Sequence, residues 1–460
     1  MTLLSAELSV FHESECLVEH IAIKIGRGQA VTLIGETGSG KSLFAQAILG
    51  TLPEELHAKG ELQLESATID LRHPSDIEPL WGRKISVLPQ EPWRALDPLM
   101  PSKQQVAEVH QLVANKADAP RLAEEALAAM GLSEAKHRFP FELSGGMAQR
   151  LAVAAARAGG AKIVVADEPT KGLDISRRDD VAAQLRSVPE SGGALLTITH
   201  DLQLAEALGG EIIVMREGRV VEKGPATSVL SSPKEQYTAE LIAAEPRHWQ
   251  EKEPATLGSV VLQGNQLTIV RGKRHLFNDM SITLRAGEVV GLCGPSGVGK
   301  SSLGDVLLGL LEPQEGSVVR SSTASQIKFQ KLWQDPPAAF SPHQTIGRGL
   351  KDLMLLHGIS RDRLEPLLSQ LRIDPELLNR TPDAVSGGEL QRLAIARALL
   401  LEPVFLFADE PTSRLDPLTQ RDVMEMLTSL AKERGIAMLL VSHDPSLIDK
   451  STDRQITLGW

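Results

Sequence analysis

Cysteine is nearly absent: only Cys16 and Cys293 occur, which supply neither a disulfide framework nor metal-ligand spacing. Low cysteine suits a reducing compartment, and Cys293, in an apolar stretch, reads as a small core residue. Aromatic residues make up 3% of the chain, with a single tyrosine, too few for a base-stacking platform. A basic excess is missing as well. Lys and Arg number 48 against 59 Asp and Glu, for a net charge of -11, which argues against nonspecific nucleic-acid binding as the main task. No apolar run approaches the roughly 18 residues of a membrane span, so any membrane contact is expected to come through another chain. The N-terminus shows no basic segment followed by an apolar one, as a secretion signal would. What is present, 42% hydrophobic and 23% charged residues, is the composition of a folded soluble protein, and 460 residues allow two or three domains.

The most informative stretch is Gly35-Glu36-Thr37-Gly38-Ser39-Gly40-Lys41-Ser42, a G-x-x-x-x-G-K-[ST] phosphate loop. Val31-Thr32-Leu33-Ile34 before it reads as a buried strand. Leu43 to Leu49 after it reads as a helix, with Gly50 as its stop. Strand, glycine loop and helix together are the context the motif requires. Glycines let backbone N–H groups converge on phosphate oxygens, and the helix N-terminus adds favourable partial charge. In this motif the lysine reaches the β- and γ-phosphates and the hydroxyl after it can ligate Mg²⁺, roles that fall here on Lys41 and Ser42. A glycine-rich turn that binds nothing is the alternative, and repetition counts against it. Gly294-Pro295-Ser296-Gly297-Val298-Gly299-Lys300-Ser301 follows the apolar run Val289 to Cys293 in the same way.

Four further landmarks recur in the same order: Gln90 and Gln334, Ser144-Gly145-Gly146 and Ser386-Gly387-Gly388, Asp167-Glu168 and Asp409-Glu410, and His200 and His443. The second copy is shorter by about 15 residues between its lysine and its glutamine, and elsewhere nearly keeps step with the first. The first copy carries the surplus around Glu61 to Glu65, which reads as a small peripheral strand region. Ile163 to Ala166 and Val404 to Ala408 are continuous apolar runs, as expected of parallel strands buried on both faces, and each ends at its Asp-Glu pair.

Five ordered motifs occurring twice resemble the ATP-binding-cassette (ABC) ATPase family, over nearly the whole chain. The resemblance implies an α/β fold: two P-loop NTPase domains in tandem, each a mainly parallel core sheet with an antiparallel β region and a helical insert between glutamine and Ser-Gly-Gly. It implies ATP and Mg²⁺ as cofactors. Both loops, Gly35 to Ser42 and Gly294 to Ser301, would hold phosphates. Ser42, Gln90 and Asp167 would attend one Mg²⁺, and Ser301, Gln334 and Asp409 the other. Glu168 and Glu410 would polarise the attacking water, and His200 and His443 would contact the γ-phosphate. Ser144-Gly145-Gly146 and Ser386-Gly387-Gly388 would each bind ATP held by the opposite copy. Gly172-Leu173-Asp174 and Arg414-Leu415-Asp416 resemble the loop that links the two sites. Met147-Ala148 replaces the usual acidic–apolar pair and reads as packing variation. For adenine stacking the first copy offers Phe11 or His12, and the second only Val270 or Arg271.

Between the copies, Ser232 to Pro246 resembles the tail of ATPases that serve oligopeptide, dipeptide and nickel importers; an ordinary amphipathic helix is the alternative. Arg247 to Pro254 is polar and reads as a linker. The domains are thus expected at 1–246 and 258–460, joined by 247–257, with no second tail before Trp460. The implied function is the ATP-hydrolysing subunit of a bacterial importer for peptides or a related small solute such as nickel. Its partners would be two membrane permease subunits and a solute-binding protein, with no nucleic acid. It would sit at the cytoplasmic face of the inner membrane, peripheral and held only through partners. A ribosome-acting twin-cassette factor would carry a long charged linker and a basic surface, and this chain has neither. A sugar-importer ATPase is a further alternative, but such fused pairs often have one degraded loop, and here both are intact.

Overall fold

The computed structural model describes residues 1–89, 95–170, 175–251, 257–272, 274–295, 297–322, 324–413 and 415–459. Gln90, Gly172-Leu173-Asp174, Ser296 and Arg414 lie outside the described residues. The chain divides into two compact units, Met1–Ile242 and Ala243–Trp460.

In the first unit the apolar runs build a six-stranded sheet. Its order is Arg219–Pro225, Glu211–Arg216, Gln29–Ile34, Ala194–Ile198, Ile163–Asp167, Ile85–Leu88. Every neighbouring pair is parallel except the first, a hairpin. The central strands are buried on both faces, as their unbroken apolar composition requires. Ile198 pairs with both Leu33 and Asp167, so the three strands end level and their next residues emerge along one edge. The ladder continues past the strands: Glu168 N–H donates to Ile198 O at 2.8 Å, and Thr199 N–H to Leu33 O at 3.0 Å. A second, antiparallel sheet has the order Glu15–Gly26, Thr2–His12, Leu56–Leu64, Ala67–Asp70. Helices Ser102–Leu112 and Ala119–Ala129 form the insert. They share a small core with the helix Gly145–Ala158 through Val106, Ala123, Leu127 and Leu151.

The second unit repeats the plan. Its parallel sheet runs Phe329–Leu332, Phe405–Asp409, Ala437–Val441, Val289–Cys293, Arg454–Thr457. Its antiparallel sheet is Arg274–Arg285, Val260–Arg271, Glu315–Arg320. Helices Ile346–Leu356 and Leu364–Gln370 form the insert before the helix Gly387–Leu399. The surplus in the first copy falls slightly beyond where the sequence suggested. Leu56–Leu64, which contains Glu61, has a counterpart in Glu315–Arg320. The first copy follows Leu56–Leu64 with the strand Ala67–Asp70 and the 3-10 turns Pro74–Asp76 and Glu78–Leu80, where the described residues of the second have the single 3-10 turn Gln326–Lys328.

The described residues just before and after Ile242 are folded. Glu222 accepts the N–H groups of Lys234 at 2.9 Å and Glu235 at 3.2 Å, fastening the start of the helix Gln236–Ala243 to the hairpin. Beyond it, the 3-10 turn Pro246–His248 packs on the helix Pro445–Ser451. Trp249 enters the core of the second unit and donates from Nε1 to Ala244 O at 2.9 Å. No helix among the described residues is long and apolar enough to cross a membrane.

Candidate active site

Each glycine loop begins where a parallel strand ends against its neighbour. Gly35 has φ 151 and Gly294 φ 141. A Cβ on Gly35 would lie 2.2 Å from Met215 O, and one on Gly294 2.6 Å from Leu458 O, so only glycine lets the chain turn there. The loops then feed the helices Lys41–Leu49 and Lys300–Leu308 through Gly40 and Gly299. Neither helix has a side-chain cap at its start, so no capping side chain stands between the helix dipole and an anion. Gly50 ends the first helix in the left-handed region. Lys41 is 5% exposed, and its Nζ donates to Gly35 O and Glu36 O, both at 2.8 Å, and to Ser39 Oγ at 3.0 Å. Lys300 Nζ does the same to Gly294 O at 2.7 Å and Pro295 O at 3.1 Å. Both ammonium groups are thus held inside the curl of their own loops.

The level strand ends bring the acidic pairs and histidines together. Glu168 Oε1 is 2.9 Å from His200 Nδ1, and Glu168 Oε2 accepts from Thr199 Oγ1 at 3.3 Å. In the second unit Glu410 Oε1 is 2.5 Å from His443 Nε2, and Glu410 Oε2 accepts from Gln334 Nε2 at 2.9 Å. Two side chains selected from the sequence, Gln334 and His443, therefore converge on the carboxylate of a third, Glu410. Glu168 and Glu410 both have left-handed backbones, φ 46 and φ 49, which turn the chain at the end of each strand. Burial works against a charged His200, but Glu168 beside it outweighs that, and the imidazole pKa stands above its ordinary value. Burial raises the Asp409 pKa, opposed by a hydrogen bond from Ser301 and by the Lys331 cation. Among the described residues no cluster of three His, Cys, Asp or Glu is placed to hold a metal unaided. A serine hydroxyl hydrogen-bonded to one aspartate instead suits Mg²⁺, which takes its remaining ligands from phosphates and water.

The Ser-Gly-Gly motifs open their helices as expected. Ser144 and Ser386 are the N-caps, each accepting a backbone N–H at 3.4 Å, from Met147 and Glu389 respectively. In the second copy Glu389 closes the box, accepting from Ser386 N at 3.1 Å and from Ser386 Oγ at 2.6 Å. In the first copy Met147 packs into the insert core, in accord with its reading as packing variation. Both serines are exposed and Gly146 and Gly388 are half-buried. Phe11 stacks on His57 with centroids 5.5 Å apart, and Lys59 Nζ lies 4.7 Å from its ring centre.

One pair near the second site went unselected in the sequence. Lys331 Nζ lies 2.8 Å from Asp305 Oδ1 and 3.8 Å from Asp409 Oδ2. The matching positions in the first copy are Val87, by strand register, and Gln46, five residues after the loop lysine. A paired gain of opposite charges, visible on overlaying the copies, was the signal available.

A family profile described as ABC transporter matches residues 18–171 and 277–413. The chain belongs to the ABC transporter family as an ATP-binding, ATP-hydrolysing protein with two cassettes. It is similar to the peptidoglycan transport ATP-binding protein YejF of Agrobacterium fabrum, 33% identical over 482 residues that cover 95% of this chain and 87% of that protein. It is also similar to the glutathione import ATP-binding protein GsiA of Salmonella typhi, at 30% identity over 97% of this chain and 82% of that one. Among solved structures, RNase-L Inhibitor matches with a TM-score of 0.64 over 98% of this chain and 87% of its own, at 23% identity, a likeness of fold.

Proposed function

We propose that the chain is the ATP-hydrolysing subunit of an importer for peptides or a related small solute, working on separate membrane permeases. The observation that carries this reading is the duplicated cluster at the strand ends: a loop lysine, an aspartate, and a glutamate paired with a histidine, in both units. It is joined to relatives named for glutathione import and peptidoglycan transport that match across most of their length. Each loop, Gly35 to Ser42 and Gly294 to Ser301, binds the phosphates of one ATP. The glycine that admits no Cβ keeps the loop tight, and the helix N-terminus and lysine face the anion. Ser42 with Asp167, and Ser301 with Asp409, hold Mg²⁺. Bound Mg²⁺ supplies charge neutralisation at the β- and γ-phosphates. Glu168 and Glu410 orient and polarise the attacking water, His200 and His443 fix those carboxylates, and Gln334 reaches Glu410 from its strand end.

Permeases dock beside Pro89 and Gln334, next to the helical inserts. Support comes from an apolar groove of about 460 Å³ in the first unit, lined by Leu49, Trp81, Val87, Pro89 and Val109, and from exposed Trp333 and Leu310 in the second. The chain is then peripheral to the inner membrane through those partners. The test is co-expression with permease subunits of peptide-importer type. The chain should sediment with membranes only when they are present, and transport should require its ATPase activity. Tight membrane binding by the chain alone, or co-sedimentation with ribosomes, would refute the reading.

A further inference from the structure

The first loop has an attachment that the second lacks. The N–H of Glu36, the residue after the wedged Gly35, donates to the Tyr237 hydroxyl at 3.1 Å, across 201 residues of chain. Tyr237 is the single tyrosine of the sequence and is 7% exposed. Arg216 lies over its ring, 4.9 Å from the centroid, and ends the strand whose Met215 carbonyl crowds Gly35. Thr238 beside it is fully buried, and Glu222 clamps the turn leading into its helix. Ring and hydroxyl are delivered to the loop by a fixed frame.

The second copy treats this peptide differently. Its residue after the first glycine is Pro295, which has no N–H to donate, while Gly294 keeps nearly the φ of Gly35. The Glu36 N–H and the Gly35 carbonyl belong to one planar peptide unit. That carbonyl accepts from Lys41 Nζ at 2.8 Å, as the Gly294 carbonyl accepts from Lys300 at 2.7 Å. Fixing the N–H therefore fixes the carbonyl that orients the lysine. In the second loop the proline ring restricts the same peptide.

We propose that Tyr237 is a positioning residue for the first phosphate loop: by accepting the Glu36 N–H it holds the peptide that aims Lys41, and so sets nucleotide affinity at the first site and not at the second. This rests on the reading of both loops as nucleotide sites. The test uses the full chain and MANT-ATP with Mg²⁺ as the probe. Lys300→Ala leaves the first site to be titrated and Lys41→Ala the second. Tyr237→Phe keeps the ring under Arg216 and removes the acceptor. It should weaken binding about two- to ten-fold in the Lys300→Ala chain and leave the Lys41→Ala chain unchanged. In a Lys300→Ala chain that also carries Glu36→Pro, which copies the second loop, Tyr237→Phe should have no further effect. Amide exchange at Glu36 should also quicken in Tyr237→Phe with no nucleotide added. Equal weakening at both sites, no weakening at the first, a loss that persists with Glu36→Pro, or unchanged exchange at Glu36 overturns the proposal. If the Lys300→Ala chain with Tyr237 intact binds no MANT-ATP, the reading of the first loop as a nucleotide site falls, and the proposal with it.

Discussion

Replacing Glu168 and Glu410 together with glutamine separates catalysis from binding. Glutamine has the same length, and it leaves the backbone with a side chain of similar bulk at φ 46 and φ 49. At Glu410 the amide oxygen can still accept from Gln334 Nε2, now 2.9 Å from the carboxylate, while the amide nitrogen turns to His443. Geometry is kept and the negative charge is removed. Loss of one positioned base slows a reaction about 10²–10⁴-fold, or roughly 2.7–5.4 kcal/mol of barrier at 1.36 kcal/mol per tenfold. The loop contacts of Lys41 and Lys300 are to backbone carbonyls and Ser39, so MgATP affinity should change little. Steady-state phosphate release and equilibrium MgATP binding, measured on the same preparations, check both halves of the statement. Single variants add a reading of coupling. Each keeps about half the rate if the sites fire independently, and each falls toward the double variant if closure needs both. Turnover by the double variant within a few-fold of wild type would refute the assignment, as would a loss of MgATP binding in step with the rate.

The remaining predictions concern pairing and pH. If each Ser-Gly-Gly serves the opposite copy, Lys41→Ala with Ser386→Arg should resemble Lys41→Ala alone in ATPase rate, whereas Lys41→Ala with Ser144→Arg should be far slower. Nucleotide binding at each site should be measured alongside; the reverse ranking would mean that each unit uses its own Ser-Gly-Gly. For His200, whose pKa is raised chiefly by Glu168 against burial, the stabilisation from the charged pair is fully present below about pH 6.5 and is lost as pH rises through the raised value. Denaturant unfolding of wild type and Glu168→Gln should therefore differ more at pH 6 than at pH 9; a gap independent of pH would contradict the pairing.

How much of this was legible in the sequence depends on the range of the interactions. The loops, their strands and helices, and the acidic pairs are set by neighbouring residues: glycine where backbone crowds backbone, apolar runs where both faces are covered. Duplication then doubled each signal. The convergence of Gln334, Glu410 and His443 followed from strand order alone, because three parallel strands that end level must bring their next residues together. The partnership of Tyr237 with Glu36 was not legible, since it depends on elements far apart in sequence meeting at one strand end, and that of Lys331 with Asp305 left its signal only in the comparison of the two copies. Composition did not show the packing at the start of the polar stretch, Arg247 to Trp249. Its charges read as linker, yet Pro246–His248 is a packed turn and Trp249 is anchored in the second unit's core.

That anchored turn bears on how such a chain could be assembled or recombined. The residues just past the helix Gln236–Ala243 are the opening residues of the second unit's packing. A chimera that exchanges one cassette at the polar stretch would strip Trp249 and the 246–248 turn from the half that buries them, and open a notch over the helix Pro445–Ser451. A crossover between Ile242 and Ala243 would hand each descendant a complete core. Exchange of halves among fused relatives is therefore permitted at one narrow place, just downstream of the tyrosine that touches the first loop.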